Sequence, residues 1–146
     1  MSLRNCIALV PKIAVVYLQE WGWHYRDEWG ITTLEEMIKD LVDNYLDDTL
    51  VLLQGDGNWI GTVALLQEDS KSHTHMGPWV TCLYVKPAFR RMGYGRMLVN
   101  TVSCDKDTYL WCYTEREKEL YMRWGFTVTE EFTYHGKKAY VLRKEV

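Results

Sequence analysis

The sequence has 146 residues, of which 47% are apolar and 25% charged. This length suits one domain, and the composition is typical of a globular chain rather than a disordered or collagen-like one. The 17 basic and 20 acidic side chains give a formal net charge of −3. Nucleic-acid binding is therefore not expected, because it depends on neutralising phosphates. A membrane partner is not expected either, since no apolar run reaches the ~18 residues of a spanning helix.

The four cysteines, at positions 6, 82, 104 and 112, form no Cys-x-x-Cys pair. We therefore expect free thiols in a reducing cytoplasm, with neither a disulfide framework nor a metal site. The apolar start of the chain is interrupted by Pro11 and Lys12, and no small-x-small cleavage site follows. We interpret it as part of the fold rather than as a signal peptide. One cytoplasmic domain over residues 1–146 is the expectation.

The N-terminal half is predicted to contain a short strand over residues 4–9 and then two helices. Pro11 suits the first turn of the first helix, where its missing N–H costs nothing. Thr33 and Glu36 have the spacing of a capping box, which predicts the start of the second helix. Apolar runs at 50–53 and 59–67 flank a Gly-Asp-Gly-Asn turn, and this pattern indicates a β-hairpin.

The C-terminal half alternates strands and helices. Residues 79–85 are apolar on both faces, as in a central strand. Thr114 and Glu117 form a second capping-box pattern that opens a helix, and Gly125 is predicted to end it. The other predicted elements are a helix over 96–103, a strand over 108–113, and a closing hairpin of 126–134 and 137–143. The order β-α-α-β-β-β-α-β-α-β-β predicts an α/β domain around one mixed sheet.

The segment 83–99 suggests anion binding. A strand leads into Arg90-Arg91-Met92-Gly93-Tyr94-Gly95-Arg96, and a helix follows at once. Unpaired N–H groups at a helix start, together with nearby cations, are suited to a pyrophosphate. A glycine-rich turn with solvated arginines is the alternative. A Walker loop is excluded because no Lys-Ser or Lys-Thr follows the glycines, and a dinucleotide fingerprint is excluded because it needs three glycines.

Two motifs together resemble the GCN5-related N-acetyltransferase (GNAT) superfamily. Val85-x-Pro87-x-x-Arg90-x-x-Gly93-x-Gly95 is similar to its acetyl-CoA-binding motif. Leu120-Tyr121-x-x-x-Gly125-Phe126 looks like the family's later motif, in which a helix carries a tyrosine and ends in Gly-Phe. The two occur in the family's order, with one helix and one strand between them. The resemblance covers roughly the C-terminal two-thirds of the chain.

This resemblance implies a single GNAT domain whose mixed, mostly antiparallel sheet has helices on both faces. The fourth and fifth strands, 79–85 and 108–113 by similarity, would splay around acetyl-CoA as the co-substrate. The implied activity is direct transfer of an acetyl group to a primary amine of a small molecule or a peptide. The family also admits a homodimer. A non-catalytic acyl-CoA-binding regulatory module of the same fold is the alternative function.

The family's site residues are carried over position by position. The resemblance makes Tyr121 the general acid, and a packing tyrosine is the alternative for that position. It gives the Leu83 N–H the task of polarising the thioester carbonyl. Thr114 replaces the family's usual asparagine, which removes one contact to the cofactor arm while keeping the helix cap. The implied cofactor-binding residues are Leu83, Tyr84, Val85, Arg90, Arg91, Met92, Gly93, Tyr94, Gly95, Arg96 and Thr114.

The general base and the acceptor site stay open. Many relatives carry a glutamate on strand four, whereas residues 79–85 contain no carboxylate. The candidates for a base are Glu68, Asp69, His73 and His75. Carboxylates among aromatic rings at the end of the first helix suit a cationic amine, although a solvated helix end explains them equally well. These residues are Glu20, Trp21, Trp23, His24, Tyr25, Asp27, Glu28 and Trp29.

Overall fold

A computed structural model describes residues 1–67, 77–102 and 107–145. The helices are α1 (Val10–His24), α2 (Leu34–Asp40), α3 (Tyr94–Val102) and α4 (Glu115–Arg123). The strands are β1 (Thr49–Leu53), β2 (Trp59–Leu66), β3 (Trp79–Val85), β4 (Thr108–Cys112), β5 (Thr127–Tyr134) and β6 (Lys137–Lys144). Short 3₁₀ helices lie at Leu3–Leu9 and Pro87–Phe89, and π-helical turns follow α1 and α2 at Tyr25–Trp29 and Leu41–Tyr45.

The six strands form one mixed sheet in the order β1-β2-β3-β4-β6-β5. The pairs β1–β2, β4–β6 and β5–β6 are antiparallel, whereas β3 and β4 are parallel. The α3 connection between β3 and β4 accounts for that parallel pair, because parallel neighbours need a crossover. The predicted fold class, an α/β domain around one mostly antiparallel sheet, is confirmed.

The predicted strand over residues 4–9 is wrong, because Leu3–Leu9 is a 3₁₀ helix with a break at Cys6. The Ser2 hydroxyl caps this helix by accepting a hydrogen bond from the Arg4 N–H. The Arg4 side chain pairs with Asp47, so the segment is held by polar contacts that a short apolar run does not reveal. Strand pairing in this region is an isolated bridge between Ser2 and Leu50.

Local sequence signals set the boundaries of several other elements. Thr33 and Glu36 form the predicted capping box at the start of α2, and Pro11 lies in the first turn of α1. His135 and Gly136 have φ values of 47° and 81°, as the tight two-residue turn between β5 and β6 requires. The helix predicted over 96–103 begins two residues earlier, at residue 94.

Both ends of α4 are fixed by hydrogen bonds that the sequence predicts. The Thr114 hydroxyl accepts from the Glu117 N–H at 3.1 Å. At the other end Gly125 has φ 99°. The Phe126 N–H donates to the Tyr121 carbonyl, and the Gly125 N–H donates to the Met122 carbonyl, each at 3.1 Å. This pattern is a Schellman motif, and it fixes the position of Tyr121 one turn before the helix ends.

The chain divides into two compact units. The first comprises Met1–Ala64 and Cys82–Leu98, and the second comprises Leu65–Thr81 and Val99–Val146. Fully buried side chains of the first include Ile13, Tyr17, Met37, Leu41 and Val51, and those of the second include Trp79, Val99, Val141 and Leu142. No helix among the described residues is long and apolar enough to cross a membrane.

Gly61 of β2 lies against the backbone of β3 within the first unit. A Cβ added at this position would lie 2.5 Å from the Tyr84 carbonyl oxygen and 3.3 Å from the Val85 Cα. Gly61→Ala therefore forces two strands apart, and we expect it to lower the free energy of unfolding by about 1–3 kcal/mol, the usual cost of overpacking. Thermal unfolding measures the effect.

Gly55→Ala is the matched control for this substitution. Gly55 has no atom within 4 Å of an added Cβ, so its replacement should change stability by no more than about 0.5 kcal/mol. A Gly61→Ala protein as stable as the Gly55→Ala protein would contradict the close approach of the two strands.

Candidate active site

The turn between β3 and α3 combines two residues with left-handed backbone. Arg90 is extended, with φ −73° and ψ 157°, whereas Arg91 and Gly93 have φ values of 63° and 85°. Glycine adopts this conformation without a steric cost, but for Arg91 it costs about 1–2 kcal/mol. Helix α3 then starts at Tyr94, and the Met97 N–H donates to the Gly93 carbonyl at 3.1 Å.

This backbone course leaves a run of N–H groups available. Within the part of the chain that the structure describes, the N–H groups of residues 91–96 donate no hydrogen bond to another residue. The positive end of the α3 dipole and the exposed cationic side chains of Arg91 and Arg96 add to the positive potential of this turn. Such an arrangement fits a pyrophosphate, because successive N–H groups and a helix start bind anions.

Two other cations of the turn have partners within the chain. The Arg90 Nε donates to the Val85 carbonyl at 2.8 Å, and its guanidinium lies 5.6 Å from the Tyr84 ring. The Lys86 ammonium lies 4.6 Å from the ring of Trp59. Arg90 thus ties the turn to the end of β3, so its predicted contact with the cofactor remains a prediction.

Strand β3 changes its backbone conformation at Cys82, which has φ 54°. Before this point β3 pairs in parallel with β4, with Trp79 opposite Tyr109. Beyond it the strand stays bonded to β2, since the Lys86 N–H donates to the Ile60 carbonyl at 2.9 Å. A left-handed residue with a Cβ is uncommon in a strand, and such strained positions cluster at functional sites.

Three of the predicted cofactor-binding residues follow directly after this strained position. Leu83, Tyr84 and Val85 are half-buried, unlike Trp79 and Val80 at the start of the same strand, which are buried. They belong to the same compact unit as the 91–96 turn. The first unit therefore contains the whole predicted cofactor-binding set apart from Thr114.

Tyr121 is half-buried on α4, with its ring 5.5 Å from that of Trp124 and 6.2 Å from that of Phe126. Loss of solvent raises the pKa of Tyr121 well above its ordinary range, and the charges of Glu117 and Cys112 act in the same direction. Among the described residues its hydroxyl has no hydrogen-bond partner. The group therefore stays protonated and can donate a hydrogen bond.

Cys112 and Thr114 precede Tyr121 in the same unit. Burial, with a smaller contribution from Glu117, raises the pKa of Cys112 to about 12, so this thiol is neutral and unreactive at physiological pH. The Thr114 hydroxyl oxygen accepts the capping bond described above. Within residues 1–67, 77–102 and 107–145 its hydrogen has no acceptor, and its contact with a cofactor stays a prediction.

The structure addresses the base and acceptor residues in part. Glu68, Asp69, His73 and His75 lie outside the described residues. At the end of α1, Asp27 pairs with Arg26 at 2.9 Å, so a neighbour compensates its charge. His24 and Tyr25 are buried, whereas Glu20 is exposed. No group of three or more metal-ligating side chains occurs within residues 1–67, 77–102 and 107–145.

The sequence analysis gave no site role to Thr62 and Tyr17, two hydrogen-bonded residues that lead to Cys82. The Thr62 hydroxyl donates to the Cys82 carbonyl at 3.0 Å, and it accepts from the Tyr17 hydroxyl at 2.8 Å. The Tyr25 hydroxyl lies 3.6 Å from the Cys82 Sγ. One signal was present in the sequence. Thr62 carries the lone polar side chain of the otherwise apolar β2, and a buried hydroxyl in an apolar strand requires a partner.

Structures of known proteins show where this fold occurs. An N-acetyltransferase from Staphylococcus aureus Mu50 superimposes with a TM-score of 0.71 at 13% identity, over 93% of this chain and 95% of its own. A chimera of the Vibrio cholerae spermidine N-acetyltransferase SpeG with hSSAT gives 0.66 at 18% identity, over 99% and 93% of the two chains. Likeness at such identities shows a shared fold.

Comparison with curated proteins gives no match. A family model described as "Acetyltransferase (GNAT) domain" matches residues 47–128, which is more than half of the chain. The matched segment contains the 91–96 turn, Cys82 and Tyr121. The chain therefore belongs to the GNAT acetyltransferase family, and it is an acetyltransferase.

Proposed function

We propose that this enzyme transfers the acetyl group of acetyl-CoA directly to a primary amine. The run of available N–H groups at residues 91–96 carries the proposal, because it supplies an anion-binding backbone next to a strand suited to align a thioester. In the transfer a C–N bond forms and the thioester C–S bond breaks. The departing sulfur takes up a proton, and the amine nitrogen loses one to a base or to water.

The residues of the first unit would bind and polarise the thioester. The backbone N–H groups of 91–96 hold the pyrophosphate, and the backbone of residues 83–85 aligns the pantetheine arm. The Leu83 N–H donates to the thioester carbonyl, where negative charge grows during attack. A donor already fixed in place stabilises that charge without reorganisation.

Tyr121 would donate its hydroxyl hydrogen to the leaving sulfur. The raised pKa of Tyr121 supports this role by keeping the hydroxyl protonated. The same raised pKa also limits how far the hydroxyl hydrogen moves toward the sulfur. Since a thiol has an ordinary pKa near 8.5, a tyrosine of higher pKa is the weaker acid. The hydrogen bond from Tyr121 to the sulfur then contributes more to lowering the barrier than complete proton transfer does.

The acceptor is proposed to be an amine, and an aliphatic polyamine is the first candidate. One structural neighbour is a spermidine N-acetyltransferase, and Glu20 gives this chain an exposed carboxylate at the end of α1. A thiol-release assay with acetyl-CoA tests the proposal against spermidine, an aminoglycoside and a peptide with a free N-terminus. Amine-dependent release of CoA supports acetyl transfer. Acetyl-CoA binding without release for any amine would favour the regulatory module instead.

Gly93→Glu should abolish acetyl-CoA binding, because it places an anion where the pyrophosphate is proposed to lie. Binding to the folded chain stabilises it by RT ln(1 + [L]/Kd), about 2.7 kcal/mol when the ligand is 100-fold above Kd. We expect acetyl-CoA to raise the Tm of the wild-type protein and to leave that of Gly93→Glu unchanged. Differential scanning fluorimetry measures both.

Gly30→Glu separates this effect from backbone strain. Gly30 and Gly93 both have positive φ values, 70° and 85°, and neither has an atom within 4 Å of an added Cβ. The two variants thus carry the same strain and the same charge. A full Tm response to acetyl-CoA in Gly93→Glu, or a lost response in Gly30→Glu, would argue against the turn as the phosphate site.

Tyr121→Phe should lower kcat and leave the KM for acetyl-CoA nearly unchanged. Positioned acid groups contribute about 10²–10⁴-fold, and we expect the lower end of this range because the pKa of Tyr121 is raised. For the same reason the wild-type kcat should show no fall due to Tyr121 up to pH 10, and the Phe variant should have the same profile above pH 8. Steady-state kinetics across pH provide the measurement.

Tyr140→Phe is the control in the same unit. The Tyr140 hydroxyl donates to Glu115, so its removal breaks a hydrogen bond on β6 without touching the proposed donor. Tyr140 is also a buried tyrosine of this unit, but its hydroxyl is not a proposed reacting group, so kcat should stay within about threefold of wild type instead of falling by the larger factor of a positioned acid. If Tyr121→Phe behaves like Tyr140→Phe, Tyr121 is a packing residue.

A further inference from the structure

Two buried hydroxyl groups connect α1 and β2 to the left-handed residue of β3. The Tyr17 hydroxyl donates to the Thr62 Oγ1 at 2.8 Å, and the Thr62 hydroxyl donates to the Cys82 carbonyl at 3.0 Å. Tyr17 and Thr62 are each 0% exposed. All three residues belong to the first compact unit. Water cannot replace either bond without entering the core.

The donor and the acceptor of both hydrogen bonds are fixed, because the Cys82 carbonyl oxygen can only accept. Each hydroxyl has one hydrogen to give. Tyr17 gives its hydrogen to Thr62, so Thr62 accepts there and directs its own hydrogen to Cys82. The Cys82 carbonyl is consequently held toward β2.

Holding this carbonyl also sets the direction of the next N–H group. The peptide bond between Cys82 and Leu83 is trans, and in a trans peptide the C=O and N–H point in opposite directions. With the Cys82 carbonyl turned toward Thr62, the Leu83 N–H is directed away from β2. This N–H is the group proposed above to polarise the thioester carbonyl.

The side chain of Cys82 is held as well. Its Sγ lies 3.6 Å from the Tyr25 hydroxyl, and Tyr25 is 7% exposed. The Cys82 carbonyl thus contacts the Thr62 hydroxyl of β2, and the Cys82 side chain contacts the Tyr25 hydroxyl. A residue with φ 54° needs such support, because side chains with a Cβ rarely adopt this conformation.

We propose that Tyr17 and Thr62 are positioning residues for acetyl transfer, which aim the Leu83 N–H at the thioester carbonyl by fixing the Cys82 carbonyl. This inference rests on the proposed function. It goes beyond it by giving two residues remote from the cofactor motif a role in the rate of the chemical step. Thr62 acts directly on the peptide, and Tyr17 acts by orienting the Thr62 hydroxyl.

Thr62→Val tests the proposal, since it keeps the shape of the side chain and removes the hydroxyl. Loss of a complete oxyanion donor costs about 10²–10³-fold in kcat, and misdirecting one should cost somewhat less, about 10–100-fold. The KM for acetyl-CoA should stay within about threefold because the phosphate-binding turn is unchanged. Thr62→Ser restores the hydroxyl and should restore kcat.

Thr49→Val is the matched control. Thr49 is a buried threonine on β1 of the same unit, and it takes no part in the hydrogen bonds that join Tyr17, Thr62 and Cys82. We expect Thr49→Val to keep the wild-type kcat even where its Tm falls as far as that of Thr62→Val. Equal losses of kcat in the two valine variants would overturn the proposal, and so would a loss that Thr62→Ser does not recover.

Binding of acetyl-CoA and of CoA provides a readout independent of turnover. The two ligands differ by the acetyl group that carries the thioester carbonyl, so a change in their affinity ratio between variants reports on the contact that the Leu83 N–H makes. Isothermal titration should show this ratio shifting toward CoA in Thr62→Val, with the affinity for CoA itself unchanged. An unchanged ratio together with wild-type kcat would show that Thr62 only packs.

Tyr17→Phe keeps the test open if Thr62→Val does not fold. It leaves the bond from Thr62 to Cys82 and removes the group that orients it. A fall in kcat in the same direction but smaller than for Thr62→Val is expected, and wild-type kcat would refute the role of Tyr17. If the wild-type protein releases no CoA with any amine, acetyl transfer itself is wrong and the inference fails with it.

Discussion

At Cys82 the chain adopts a φ of 54°, a conformation that costs a residue with a Cβ about 1–2 kcal/mol. The buried bond from Thr62 to the Cys82 carbonyl offsets this cost, because breaking it would leave an unpaired polar group in the core. Every residue from 83 to 96 follows this point in the chain. The direction of the Leu83 N–H and the path of the chain into the 91–96 turn therefore depend on it.

In the proposed reaction the first unit binds acetyl-CoA and polarises the thioester mostly through main-chain atoms. Residues 91–96 offer N–H groups, and Leu83 offers another, whereas Arg90 uses its Nε to hold the turn against Val85. Backbone dipoles depend on the path of the chain rather than on side-chain identity, except where a positive φ favours glycine, as at Gly93. A fold that works through its backbone can persist while its sequence diverges, which agrees with a TM-score of 0.71 at 13% identity.

The features that could be predicted from the sequence are those with local causes. The caps at Thr33 and Thr114, the Gly125 helix end and the His135-Gly136 turn each depend on atoms within about five residues. The conformation of Cys82 was not predictable in this way, because its partners Thr62 and Tyr17 lie 20 and 65 positions away and meet it only once the strands are in register. The strand prediction for residues 4–9 was wrong for a related reason, since a short apolar run gives no sign of the contact between Arg4 and Asp47.

Burial raises the pKa of two side chains of the second unit, which the sequence motif around Tyr121 does not indicate. The pKa of Tyr121 and the pKa of Cys112 are both raised, chiefly by loss of solvent, so both groups stay neutral at physiological pH. In the proposed reaction a thiolate leaves, and a neighbouring anion would oppose its formation by charge repulsion. A neutral tyrosine imposes no such penalty and still donates a hydrogen bond, which is stronger when its acceptor is ionised. In the proposed role, the stabilisation from Tyr121 would therefore increase as charge develops on the sulfur, so that it would favour the transition state over the bound thioester.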